Sequence, residues 1–269
     1  MENEGQLSPD EIMALEHPYF ELQAFIGTTK HMGGMTSTEE LVALCGIGEG
    51  TYVLDVGCGA GATPSYLVTQ LGARVVAVDL SSRMIALATE RAQRDGVADR
   101  IEFRVADVRD LPFGAGKFDV VMAESVLTFL PDKAVAVAEC VRVARPGGTV
   151  GFNEETWLQP PTPQIVQSVA ETWDIQARIL SDDEWHSLLS EAGLLDVRSK
   201  TSPVKAERDA TQVKRYHLSD LWRMVTRTVR LYFGNAAFRQ YMRERGRLPR
   251  DVFKYLGYGL FVGRKPESP

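Results

Sequence analysis

The chain has only three cysteines in 269 residues, Cys45, Cys58 and Cys140, and none stands at CxxC or Cys/His metal-binding spacing. Three thiols so far apart cannot all pair, which argues against a disulfide framework or a structural zinc, and no metal site is expected. Positive charge is also scarce. Thirty Lys and Arg against 36 Asp and Glu leave a formal net charge of −6, so the molecule as a whole is not built to lie along a polyanion, and DNA is not an expected partner. No apolar run approaches the roughly 18 residues that a membrane-spanning helix needs. The opening MENEGQLSPDEI is acidic and polar, where a secretory leader is basic and then apolar. The expected location is the cytoplasm. Neither an internal repeat nor a low-complexity tract is visible.

What is present suits one large domain, with 44% apolar and 25% charged residues. Ser8 and Glu11 around Pro9 form a capping-box pattern that predicts a helix from Pro9 to His17, and Pro18 breaks it. A second box, Ser37 with Glu40, predicts a helix through Leu44. Then β-rich apolar runs at Tyr52–Val56, Arg74–Leu80, Ile101–Ala106, Phe118–Ala123 and Thr149–Phe152 alternate with helical segments near 63–71, 82–95 and 132–144. Strands this continuously apolar are covered on both faces, which means a parallel sheet with helices on either side. After residue 157 the rhythm changes. Ser181 with Glu184 caps a helix ending near Gly193, strands follow at Leu195–Thr201 and Tyr258–Arg264, and the 55 or so residues between them read as helical. The expected organisation is a helical lid over 1–48, an α/β core over 49–157, and a substrate-side half over 158–269. That last half carries an insertion at about 202–256.

The strongest local signal is Val53-Leu54-Asp55-Val56-Gly57-Cys58-Gly59-Ala60-Gly61, a strand ending in a glycine turn that feeds a helix. Glycine allows positive φ and close approach of a ligand, and in open α/β sheets ligands bind at the carboxyl ends of the strands. Gly57, Gly59 and Ala62 also satisfy the G-x-G-x-x-A form of a dinucleotide fingerprint. Asp55 argues against that reading, because a carboxylate there repels a pyrophosphate and attracts an ammonium group. The second strand ends in Asp79, whose carboxylate suits both hydroxyls of a ribose, and the third in Ala106-Asp107-Val108, which offers adenine an acceptor and a backbone amide. An acidic helix cap explains any one of these acids. Three at successive strand ends read as one ligand, a positively charged nucleoside without phosphate.

The runs VLDVGCGAGATPSYL, VVAVDLSSRMIALA, VADVRDLPF, FDVVMAESVLTFLPD and ARPGG before TVGFNEETW resemble, in order, the motifs of class I methyltransferases that use S-adenosyl-L-methionine (SAM). The chain is most similar to the small-molecule group that includes the ubiquinone/menaquinone C-methyltransferases and sterol-type enzymes. The resemblance covers residues 30–157 well and the rest only in its final strand pair. It implies a doubly wound, mostly parallel seven-stranded α/β sheet of Rossmann-like type, with the last strand antiparallel, a helical N-terminal lid and a helical insertion before that strand. It implies SAM as cofactor and S-adenosyl-L-homocysteine (SAH) as product. By position it assigns Asp55, Gly57, Cys58, Gly59 and Gly61 to the methionine turn, Asp79, Leu80 and Met84 to the ribose side, and Ala106, Asp107 and Val108 to adenine. Ala123 and Glu124 then face the methionine end and the acceptor, and His31-Met32-Gly33-Gly34 resembles the segment that closes over the cofactor, through His31 and Gly33. Histidine is often found in the family near Thr128, and its absence leaves no base there. The fourth strand also lacks the Asn/Asp-Pro-Pro-aromatic motif of enzymes that methylate DNA bases or glutamine.

On the acceptor side, Glu124, Ser125, Asn153, Glu154 and Glu155 crowd two strand ends, and Glu124 and Glu154 are the candidate catalytic carboxylates. Within the insertion, Leu221, Val225, Val229 and Tyr232 share one helical face and Arg223, Arg227 and Arg230 another. Lys214, Arg215, Arg239, Arg243, Arg245, Arg247 and Arg250 add positive charge nearby. This reads as a solvated face, or as a site for an anionic or lipid-like substrate or a membrane surface. Trp157, Trp222, Tyr232, Phe233, Phe238 and Tyr241 are candidates for an apolar pocket. The expected function is methyl transfer to a small hydrophobic or amphiphilic molecule. The alternatives are an RNA or protein methyltransferase using the basic insertion, or a non-catalytic SAM-binding protein.

Overall fold

A computed structural model describes residues 7–15, 18–29, 31–173, 177–205, 210–245 and 251–267. Three helices come first, α1 (Pro9–Met13), α2 (Tyr19–Ile26) and α3 (Gly34–Cys45). The alternation follows as β1 (Tyr52–Val56), α4 (Ala62–Leu71), β2 (Arg74–Asp79), α5 (Ser82–Arg94), β3 (Ile101–Val105), β4 (Phe118–Glu124), α6 (Lys133–Val143) and β5 (Ala144–Trp157). The second half holds α7 (Pro163–Trp173), β6 (Leu180–Ser181), α8 (Asp182–Glu191), β7 (Leu195–Pro203), α9 (Leu218–Gly234), α10 (Ala236–Arg245), α11 (Val252–Tyr255) and β8 (Leu256–Arg264).

The sheet order is β3-β2-β1-β4-β5-β8-β7, with β6 pairing beside β5; β8 alone runs antiparallel to its neighbours. Seven of these strands are the expected ones, and the eighth is the two-residue β6. Residues on the central strands alternate between two cores because side chains alternate across a pleated strand. Leu54, Val76, Val121 and Phe152 face one side, where Trp185 of α8 stacks on Phe261 at 5.0 Å between ring centres. Val53, Val75, Val120 and Leu260 face the other, against Leu41 of α3 and Leu67 of α4. The site is thereby set on a support packed on both sides.

Several boundaries differ from expectation for identifiable reasons. The capping boxes at Ser8/Glu11 and Ser181/Glu184 form, but the first helix ends at Met13, and its expected end at His17 lies outside the described residues. No Ser37/Glu40 box forms. Helix α3 already begins at Gly34, with Gly33 at φ 82° before it, and the Ser37 hydroxyl donates to the Gly34 carbonyl at 2.8 Å. A Cβ on Gly33 would stand 2.5 Å from the Tyr258 ring, so the glycine pair lets this helix start early and press on β8. Strand β5 extends well past the expected Thr149–Phe152 at both ends. Its C-terminal extension is Asn153-Glu154-Glu155-Thr156, polar by sequence but buried, because neighbouring loops and strands supply hydrogen-bond partners.

In α9 the inward face is Leu221, Met224, Arg227, Thr228 and Leu231, whereas Val225, Val229 and Tyr232 are exposed. The expected apolar face is therefore rotated outward. Two of the three arginines are ties within the molecule, since Arg223 bonds Glu90 at 3.0 Å and Arg227 donates to the Phe25 carbonyl at 2.7 Å. Arg247 and Arg250 lie outside the described residues. No described helix is long and apolar enough to cross a membrane.

Candidate functional site

A cavity of about 330 Å³ opens at the carboxyl ends of β1 to β4. Its floor is the turn after β1, where Gly57 and Gly59 take φ of 72° and 53° and line the cavity with Cys58. A Cβ on Gly57 would lie 2.2 Å from Cγ2 of Val126, and one on Gly59 would lie 2.2 Å from Cγ2 of Thr29, so both loops close on the bare turn. Gly61 serves differently. It sits off the cavity with Ala88 of α5 against it, where an added Cβ would meet the Ala88 Cβ at 2.8 Å. A side chain here would push α5 away from the turn.

Asp55 ends on this floor, 2% exposed, and its Oδ2 has no hydrogen-bond partner among the described residues. Burial, together with the charges of Glu124 and Asp79, pushes its carboxyl well up, against an opposing pull from Arg215. A buried carboxylate left without a partner is costly, and a cation bound beside it relieves that cost. Asp79 also faces the cavity, but each oxygen already accepts a backbone N–H, from Gly59 and from Ser81, both at 2.9 Å. It thus holds the glycine turn in shape and retains a free lone pair on each oxygen. Leu80, Met84, Ala106, Asp107 and Val108 line the adjoining wall. The Asp107 carboxylate is engaged by Arg109, which holds it below the ordinary carboxylate range.

Glu124, at the end of β4, is held in place by hydroxyls from two helices. It accepts Thr38 Oγ1 at 2.9 Å and Thr63 Oγ1 at 2.8 Å, and His31 Nε2 lies 3.5 Å from its Oε1. Burial raises its pKa, but His31, Arg215 and the two hydroxyls outweigh that effect and hold the carboxyl below its usual value. It is a fixed anion and a weak base. His31 is buried beside it, with Nδ1 3.1 Å from Asn153 Nδ2. Burial holds the ring at about 4, with Glu124 pulling the value up and Arg215 pushing it down, so the imidazole is neutral near pH 7. The next residue, Ser125, adopts φ 52°, uncommon for a residue with a side chain and frequent where a site constrains the backbone.

Three further expected residues lie away from the cavity. Gly33 packs on Tyr258, and Ala123 is wholly buried under the sheet end. Glu154 accepts the N–H groups of Val126, Leu127 and Thr128 and the Thr128 hydroxyl, all at 2.8 to 2.9 Å. It anchors the loop after β4 and does not line the cavity, although burial and the neighbouring Glu155 raise its carboxyl to about 7. Thr128, where the family often has histidine, is spent on the same anchor.

The aromatic wall is also other than expected. Tyr19, Phe20 and Phe129 cluster at the mouth with ring centres 4.7 to 5.6 Å apart, joined by Leu130. None of the aromatic candidates in the second half lines the cavity; Phe238 is core and Trp222 is 72% exposed. Thr63, Thr29 and Phe129 were not singled out by sequence, and Arg215 only as one member of the basic cluster. Thr63, two residues past the last glycine of the turn, could have been found by position alone. Arg215 is hidden among exposed basic residues.

The residues present fit SAM. Asp55 would meet an ammonium group, and Glu124 adds a second carboxylate to the same cavity.

Residues 54–152 match the family described as "Methyltransferase domain". Tocopherol O-methyltransferase of Arabidopsis thaliana is 35% identical over 156 residues, 54% of this chain and 44% of that protein. Erythromycin 3''-O-methyltransferase of Saccharopolyspora erythraea is 35% identical over 179 residues, 60% of this chain and 56% of that protein. The chain thus spans about half the length of these relatives. Among solved structures, phosphoethanolamine N-methyltransferase 2 of Haemonchus contortus in complex with SAM superposes with a TM-score of 0.68 at 19% identity, covering 98% of this chain and 58% of that one. Residues 54–152 thus carry a methyltransferase domain, and the chain as a whole has the fold of SAM-dependent methyltransferases.

Proposed function

We propose that the chain transfers the methyl group of SAM to a small organic acceptor with an apolar or amphiphilic body. The observation that carries this reading is one continuous cavity, acidic at the glycine turn and aromatic at its mouth. Its volume falls within the range of about 300–1,000 Å³ usual for small-molecule sites. Its lining includes Tyr19, Phe20, Thr28 and Thr29 from the N-terminal part and Arg215 from the insertion, which suits an acceptor that enters whole and not a long polymer. Both relatives described above carry names that specify small acceptors.

When bound, SAM supplies an electrophilic methyl on a positively charged sulfur; the acceptor's lone pair forms the new bond while the C–S pair stays on sulfur, leaving SAH. The protein's task is alignment and exclusion of water. Asp55 holds the ammonium group, and the bare backbone of Gly57 and Gly59 admits the chain of the amino acid. Tyr19, Phe20 and Phe129 fix the acceptor's apolar body at the methyl end. Glu124, ionised and fully bonded, keeps that end negative and favours a cationic ligand over a dinucleotide. Glu124, held below the ordinary carboxylate range, is a weak base, which favours an acceptor atom that is nucleophilic without deprotonation by this residue or that loses its proton to water.

The test is to incubate the protein with methyl-labelled SAM and extracts of metabolites and lipids. Label in a low-mass product extractable into organic solvent is the expected result. Label confined to RNA or protein would overturn the small-acceptor reading in favour of a macromolecular one. Tight SAM binding with no transfer to any fraction would make the chain a binding protein.

A further inference from the structure

Arg215 comes from the insertion, at the end of a short 3₁₀ segment (Ala210–Arg215), yet its side chain ends inside the cavity. It is 8% exposed. One nitrogen, Nη2, donates to Thr63 Oγ1 at 2.9 Å, while Nε and Nη1 are buried with no hydrogen-bond partner among the described residues. A guanidinium is always charged and offers five donors in a fixed fork. Leaving two of its nitrogens unpaired inside the protein is unfavourable, and surrounding structure has to enforce it.

That enforcement is visible on both sides of the residue. Arg91 of α5 donates to the Arg215 carbonyl at 2.6 Å and to the Ala60 carbonyl of the glycine turn at 2.9 Å. The next residue, Tyr216, uses its hydroxyl twice on Thr29, donating to the carbonyl at 2.6 Å and accepting the N–H at 2.9 Å. Thr29 is the residue that closes over Gly59. The backbone of 215–216 is therefore tied to the turn and to its cover.

The same cavity contains a second buried group without a partner, Oδ2 of Asp55. The two are opposite in charge and close enough for Arg215 to draw the Asp55 carboxyl down, but they do not bond each other. An ion pair serving only the fold would close that gap. Two opposite, unsatisfied charges facing one space match a zwitterion, an ammonium on one side and a carboxylate on the other.

We propose that Arg215 recognises the α-carboxylate of the methionine portion of SAM and SAH, with Asp55 taking the ammonium group. This rests on the SAM reading above and adds the insertion to the cofactor site. Nη1 alone carries two N–H groups without a partner, and a charged donor of this kind suits a carboxylate oxygen.

The test compares two ligands by titration calorimetry: SAH, and its decarboxylated analogue, which keeps the adenosine, sulfur and amine and lacks only the carboxylate. The unaltered protein is expected to prefer SAH by about 10- to 100-fold, the range of a paired, charge-assisted contact. Arg215→Met should weaken SAH by a similar factor and leave the decarboxylated analogue within about threefold, since no carboxylate contact is there to lose. Equal weakening of both ligands in Arg215→Met would mean that the arginine only supports Thr63 and Glu124, and would overturn the proposal. So would unaltered protein that binds both ligands alike, a result that does not depend on whether the variant folds. Failure to bind either ligand would instead remove the SAM reading on which the proposal rests.

Discussion

The two halves of the chain handle polar side chains in different ways. In the β1–β5 half, carboxylates are carried into the interior and supplied with donors: Glu124 from Thr38 and Thr63, Glu154 from three consecutive backbone N–H groups. In α9 and α10 large apolar side chains face water, with Trp222 and Phe233 at 72% and 79% exposure, and the helices are attached by a small apolar cluster of Leu231 and Phe238 with Ile12 and Leu22 and by a few polar ties. Arg91 and Arg94 hold Asp220, Arg227 holds Phe25, and Asn235 donates to Asp10 at 2.7 Å. The first arrangement fixes positions to within a bond length and tolerates little. The second tolerates much, except at the points of attachment.

The largest expected effect is at Glu154. Glu154→Ala leaves three amide donors beneath the loop after β4 without an acceptor, and at roughly 1–3 kcal/mol for each buried, unsatisfied group the loss of stability should be about 3–5 kcal/mol. A urea titration checks it. A loss below about 1 kcal/mol would break the contrast, because the interior would then be as forgiving as the insertion.

His31 sharpens the contrast through pH. Its folded value of about 4 lies below the ordinary 6.5, so folding favours the neutral ring. That contribution is present in full above pH 6.5 and is lost as pH falls from 6.5 through about 4, reaching roughly 3 kcal/mol at the acid end. The urea midpoint of the unaltered protein should therefore fall more steeply between pH 7 and 4 than that of His31→Gln. Parallel curves would mean that the ring is not held neutral by burial.

The smallest effect belongs to α9. Trp222→Ser, on the exposed face, should change stability by less than about 0.5 kcal/mol and leave SAH affinity unaltered. A larger drop in Tm would show that this face is covered in solution.

The same contrast explains what the sequence made legible. The placement of Gly57, Gly59, Asp55, Asp79 and Asp107 at one cavity was readable because each is tied to a strand end, and strand ends follow from short-range apolar patterning. Glu124 was legible for the same reason. Glu154 lies past the expected end of its strand at Phe152, and the structure turns it away from the cavity toward the loop after β4. Sequence shows a carboxylate near an acceptor site but not which way the pleat points it or what loop it meets. The rotation of α9 was also missed, because a helix with apolar residues on more than one side does not declare which side meets α2. Arg215 and the aromatic trio could not be read from local pattern at all. They reach the cavity only through contacts spanning, in the case of Thr29 and Tyr216, 187 positions of chain.

The double hydrogen bond between Tyr216 and the Thr29 backbone bears on how acceptor range can be engineered. Exchanging residues 210–255 as a cassette between relatives would sever a joint whose other half lies near the N-terminus. A chimera that carries residues 28–31 along with the cassette preserves the joint.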